Sequence, residues 1–148
     1  MWFIISLLII IFDQIFKFLV VSNISLTDSI EVIPKVMHFV YVKNTGAAFS
    51  ILEGKTYLLS IVSVLVCAAL VIYMIKTKPE SKMLSLSISL ILGGAVGNLI
   101  DRLTKGFVVD FIEPMFIRFP VFNFADIAIT VGAVLLVVYV MFFDGKSE

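Results

Sequence analysis

The chain has 148 residues, 61% of them hydrophobic and only 15% charged, and its formal net charge is zero. A soluble domain this small has too much surface for its volume to hide that much apolar area, so lipid has to be the outer solvent. With no basic or acidic excess, there is no electrostatic footprint for nucleic acid or for a captured acidic partner.

Four stretches are long enough for a hydrocarbon core, which takes roughly 17–25 residues to cross: Trp2–Val21, Thr56–Ile75, Met83–Ile100 and Ile127–Phe143. In lipid each segment must satisfy its own backbone, so these are predicted helices. The expected fold is an all-α membrane protein, one domain over residues 1–148, with four transmembrane helices and a small membrane-lying extracytoplasmic β-region.

The first span has no basic start and no small-x-small cleavage site, so it reads as a retained helix and not as a leader. It carries Asp13-Gln14-x-x-Lys17 inside the apolar run. An ionisable group at that depth costs at least ~2.5 kcal/mol on insertion scales and needs a reason. Four residues apart, Asp13 and Lys17 share a helical face and are expected to form a structural ion pair.

Residues 22–55 contain Pro34, then alternating β-branched and aromatic residues from Lys35 to Lys43, then the turn-like Asn44-Thr45-Gly46. This predicts a hairpin or curved sheet lying on the membrane. His38, in that stretch, is the sole histidine and is expected at the surface or in packing. The lone Cys67, mid-way along the second span, reads as a small buried apolar side chain. One histidine and one cysteine do not make a zinc site.

The short link Lys76–Lys82 packs three lysines into seven residues, and Lys146 follows the last span. The outer links hold more basic residues, spread thinly. Basic density at the helix ends predicts a cytoplasmic short link and, with it, two cytoplasmic termini.

The third span ends in Gly93-Gly94-Ala95-Val96-Gly97-Asn98-Leu99-Ile100-Asp101-Arg102. Gly93 and Gly97 make a small-x-x-x-small face for close helix approach. Asn98, Asp101 and Arg102 cluster at the helix end, where Asp101 and Arg102 are expected to act as a latch between helix ends.

Residues 101–125 are rich in aromatics and broken by Pro114 and Pro120, a composition suited to the headgroup zone. Two more acids lie here. Asp110 sits in Val108-Val109-Asp110-Phe111, and Asp126 closes Phe122-Asn123-Phe124-Ala125-Asp126 where the fourth span begins. A carboxylate among Val and Phe is expensive to ionise. Two such groups brought together would share one proton, one activating water while the other protonates a carbonyl oxygen or leaving amine. From the residues alone a structural pair and an ion-pathway acid remain open beside that dyad. An ion carrier would show flux in reconstituted vesicles, and an assembly subunit would show no catalysis at all. The lack of an internal repeat weighs against a transporter built from repeated halves.

Taken in order, Asp13-Gln14-x-x-Lys17, the segment Asn44 to Ser50, the run Gly93 to Arg102 continuing into Gly106 to Phe111, and Phe122 to Ile129 closely resemble the lipoprotein signal peptidase (signal peptidase II) family. The resemblance covers essentially the whole chain, and four motifs in order are far more specific than one. It implies an aspartic endopeptidase of the bacterial cytoplasmic (inner) membrane, its active site facing the extracytoplasmic side. The implied reaction removes signal peptides from prolipoproteins just before a diacylglyceryl-modified cysteine. By motif position Asp110 and Asp126 correspond to the catalytic pair. Asn44, Gly46, Asn98, Arg102 and Asn123 correspond to substrate-binding or supporting positions, and Asp13, Lys17 and Asp101 to structural ones. The resemblance also implies membrane lipid and globomycin-type inhibitors as partners, and no metal or cofactor. No GxSxG, HExxH or P-loop motif is present, nor the GxGD motif of other intramembrane aspartyl proteases.

Overall fold

A computed structural model describes residues 2–46 and 53–143. The elements run α1 (Trp2–Asn23), β1 (Ser29–Ile33), β2 (Met37–Asn44), α2 (Thr56–Thr77), α3 (Lys82–Lys105), β3 (Val108–Pro114) and α4 (Phe124–Phe142). All four helices are long and apolar enough to span a bilayer, so the chain is a multi-pass membrane protein. Four alternating spans put the start of α1, the end of α4 and the α2–α3 link at one end of the bundle. The three strands lie at the other.

The predicted spans are all present with altered ends. Helix α3 runs past Ile100 to Lys105, because Gly106 in a left-handed conformation (φ 80°) stops it, its N–H bonded to the Arg102 carbonyl. Helix α4 begins three residues before Ile127, because Asn123 caps it. At the opposite end, Lys78 closes α2 with φ 45°, and the Ser81 side chain accepts from the Leu84 N–H to open α3.

Helix α3 is the centre of the bundle and packs against the other three helices. It is the least hydrophobic span, yet it is by far the most buried of the four. A helix surrounded by helices needs small residues where its neighbours press in, and does not need a lipid-compatible exterior. A β-carbon on Gly93 would lie 2.9 Å from the Ile9 β-carbon, and one on Gly97 would lie 2.8 Å from Asp13 Oδ2. The Gly93/Gly97 face therefore admits α1.

The predicted hairpin is β1–β2, turned at Pro34-Lys35 with Lys35 at φ 60° and the Val36 N–H bonded to the Ile33 carbonyl at 3.0 Å. Proline in second position followed by a positive φ is the type II pattern. The unforeseen element is β3, which completes an antiparallel sheet in the order β1-β2-β3. Its Phe111 is fully buried and meets Phe39 edge-on at 5.6 Å and Phe124 at 5.4 Å, while Phe124 meets Phe16 of α1 at 4.7 Å. These rings, with Val20, Ile24, Val109 and Ile112, glue the sheet onto the helix ends.

Candidate active site

Along β3 alternate side chains face opposite ways. Val108 and Asp110 face a cavity, while Val109 and Phe111 enter the apolar core. The backbone N–H of Val109 donates to Asp101 Oδ2 at 2.9 Å. The residue just before Asp110 is thereby bolted to α3.

Asp126 is fixed by α4 itself. Asn123 Oδ1 accepts from the Asp126 N–H at 2.9 Å, and Asp126 Oδ2 accepts from the Asn123 N–H at 3.2 Å, a reciprocal capping box. The cap places the acid in the first helical turn, where the exposed amides favour negative charge.

The cavity holds about 820 Å³ and is lined by Asn44, Gly46, Asn98, Arg102, Asp110 and Asp126 together with apolar side chains. Asn123 lies behind them, fully buried. Three asparagines hold the two acids, and each has its amide orientation locked. Asn44 Oδ1 accepts from the Gly46 N–H at 2.9 Å, which leaves its Nδ2 to donate to Asp110 Oδ2 at 2.8 Å. Asn98 Oδ1 accepts from Lys17 Nζ at 2.8 Å and from Asn123 Nδ2 at 3.1 Å, and its own Nδ2 donates to Asp126 Oδ1 at 2.8 Å. With its oxygen engaged by the Asp126 N–H, Asn123 donates through Nδ2 to Asp110 Oδ1 at 2.7 Å. All four carboxylate oxygens accept a bond from a fixed neutral donor, and Asn123 reaches both acids.

Burial, foremost, and the negative charge of Asp126 push the Asp110 carboxyl up to about 7, against the pull of the Asn44 and Asn123 hydrogen bonds and the Lys17 charge. A carboxyl poised there takes up and gives back a proton near neutrality.

Asp13, Lys17 and Asp101 are fully buried away from the cavity. Lys17 Nζ lies 2.8 Å from Asp13 Oδ2, the predicted ion pair, and 3.4 Å from Asp101 Oδ2. Asp13 also accepts the Ala125 N–H at 3.0 Å, tying α1 to the start of α4. Asp101 takes a second cation, Lys105, at 2.7 Å.

The expected latch divides. Asp101 joins helix to strand, whereas Arg102 turns into the cavity and donates to the Gly46 carbonyl at 3.3 Å. Among the described residues the two form no ion pair, because neighbours on a helix point about 100° apart. Missed in the sequence were Lys105, four residues after Asp101, and Gln14, whose Nε2 donates to the Gly97 carbonyl at 3.0 Å. The first is a helical i,i+4 signal; the second had none beyond the motif containing it. Residues 47–50 of the Asn44–Ser50 motif lie outside the described residues.

His38 faces Glu31 across the hairpin at 3.9 Å, and Cys67 is buried in α2. Among the described residues, no three His, Cys, Asp or Glu side chains are grouped so as to hold a metal ion.

The family model described as signal peptidase (SPase) II matches residues 5–142. The lipoprotein signal peptidase of Halothermothrix orenii is 46% identical over 139 residues, 94% of each chain. That of Listeria monocytogenes serotype 4a is 40% identical over 149 residues, covering 99% of this chain and 97% of the relative. Two solved structures, both described as bacterial membrane enzymes, superpose with TM-scores of 0.92 and 0.87 at 34% and 35% identity. They cover 99% and 96% of this chain, which spans 91% and 93% of theirs. On a match running through every span and both cavity acids, the chain belongs to the signal peptidase II family of peptidases.

Proposed function

We propose that this peptidase is an aspartic endopeptidase that removes signal peptides from prolipoproteins, cutting just before a diacylglyceryl-modified cysteine. The observation carrying the reading is Asn123, one buried side chain that donates to Asp110 while its own backbone and amide oxygen fix Asp126. Two acids held by one residue, open to a cavity and supplied with neutral donors, are built to keep one proton between them.

In the proposed reaction the charged carboxylate takes a proton from water as its oxygen attacks the scissile carbonyl carbon. The protonated carboxyl gives its proton to the carbonyl oxygen. As the tetrahedral diol collapses and the C–N bond breaks, the now protonated carboxyl gives its proton to the leaving amine and the other carboxylate takes one from a diol hydroxyl, so the pair again holds one proton. Arg102, at the cavity wall beside Gly46, is placed to hold substrate backbone near the acids. The membrane setting fits a lipidated substrate, which brings its scissile bond to the interface. Lys76, Lys78 and Lys82, at or beside the short link, support a cytoplasmic location for that end. The site then opens on the extracytoplasmic side of the cytoplasmic membrane. Globomycin-type inhibitors would compete for the same cavity.

The purified protein in detergent should cleave a diacylglyceryl-modified prolipoprotein peptide before its cysteine, and leave the unlipidated peptide largely intact. Failure to cut the lipidated peptide contradicts the reading.

A further inference from the structure

The cavity does not stop at the acids. It continues along the bundle past Ala95 of α3 to Ser63 of α2 and Thr130 and Val131 of α4. Thr130 is four residues after Asp126, on the same face of α4 and about 6 Å deeper along the helix. Helix α2 packs on α3, but makes no comparable contact with α4 among the described residues, and the cavity opens between them.

In an apolar setting a serine or threonine on a helix normally bonds a carbonyl of its own or a neighbouring helix. Ser6, Ser60, Ser87 and Ser89 all do so. Ser63 and Thr130 do not: neither hydroxyl has a hydrogen-bond partner among the described residues, and both residues line the cavity. Two unpaired donors on the cavity wall, Ser63 half-buried and Thr130 exposed to the cavity one turn beyond Asp126, are the counterpart of an acceptor that is absent until something enters.

We infer that Ser63 and Thr130 form a subsite that hydrogen-bonds backbone carbonyls in the last helical turn of the signal peptide. This rests on the function proposed above. A membrane-crossing signal helix ends where it must unwind toward the scissile bond, and its last four or so carbonyls have no partner within the helix. The apolar side chains that make up most of the cavity wall cannot supply one. Ser63 from α2 and Thr130 from α4, both lining the cavity in which such a helix would lie, do so. The subsite recognises backbone, which lets it accept signal peptides of different sequence.

The test is kcat/KM on a lipidated prolipoprotein peptide for Ser63→Ala, Thr130→Val and the double variant. A parallel peptide carries a backbone ester, a weaker carbonyl acceptor, among the final residues before the cleavage site. Neither hydroxyl bonds a described residue, so melting temperatures should hold. Each single variant should lose roughly three- to tenfold in kcat/KM, the yield of one hydrogen bond, mostly through KM, while Thr130→Ser retains the wild-type value. The ester should slow the wild type by a similar factor and the double variant by nothing further. Wild-type kcat/KM in the variants, or equal ester sensitivity in wild type and double variant, overturns the subsite and leaves the proposed function standing. Failure of the wild type to cut either lipidated peptide overturns both.

Discussion

Two groups of acids, linked through Asn98, are treated in opposite ways. Asp13 and Asp101 are sealed from the cavity and matched by cations, Lys17 between them and Lys105 on the far side. Asp110 and Asp126 face the cavity, and their hydrogen bonds come from the amides of Asn44, Asn98 and Asn123. A touching cation ties a buried carboxylate into a joint between helices, because removing either partner strands the other. Neutral amide donors fix geometry without settling the proton. Asn98 joins the two regions, taking Lys17 on its oxygen and giving its amide to Asp126. On the proposed function, the ion-paired group is scaffold and the amide-held pair is where a proton moves.

The comparison can be broken most severely at the open pair. Asp110→Asn and Asp126→Asn should each lower turnover on the lipidated peptide by about three orders of magnitude or more, the upper range for a positioned acid–base group, while the protein stays folded. Substantial turnover by either folded variant removes that aspartate from the mechanism. The next largest effect belongs to the sealed group. Lys17→Met leaves Asp13 and Asp101 without their shared cation, and stranding a buried charge costs about 3–5 kcal/mol. Its melting temperature in detergent should drop sharply, and unchanged melting would mean that the network carries no scaffold role.

The smallest effect sharpens the boundary, because it separates neighbours in sequence. Asp101→Ala should behave like Lys17→Met and lower melting. Arg102→Ala should melt near the wild type and lose roughly ten- to a hundredfold in kcat/KM, the range for a charge-assisted hydrogen bond. If the two alanine variants lose stability alike, Asp101 and Arg102 are one latch after all.

That boundary marks where sequence reasoning ran out. The spans were legible because lipid imposes a long uninterrupted apolar run. The hairpin was legible because β2 alternates and Pro34 breaks the chain before it. Strand β3 was not, since its residues Val108–Ile112 are buried on both faces and give no alternation. They read only as an apolar segment, though Gly106 and Pro114 bound it. The start of α4 was set too late, because a hydropathy boundary ignores polar caps. Asn123 and Asp126, three apart before an apolar run, carried the capping signal. The two cavity acids were found as acids in costly surroundings, but the residue that couples them was visible only as one asparagine among several. Its role depends on β3 and α4 meeting, which no local pattern states.

The central claim is that Asp110 and Asp126 work as a pair sharing one proton, and the pH dependence of kcat/KM tests it most directly. That profile reports the free enzyme's essential acid and base. The Asp110 carboxyl, raised from 3.8 to about 7, still holds its proton below that pH and loses it above, and the pair then lacks its acid. Measured across roughly pH 4 to 9 on the lipidated peptide, kcat/KM should fall with an alkaline limb near neutrality. A rate that keeps rising through that range would show that the acid proton is not needed, and would contradict the account.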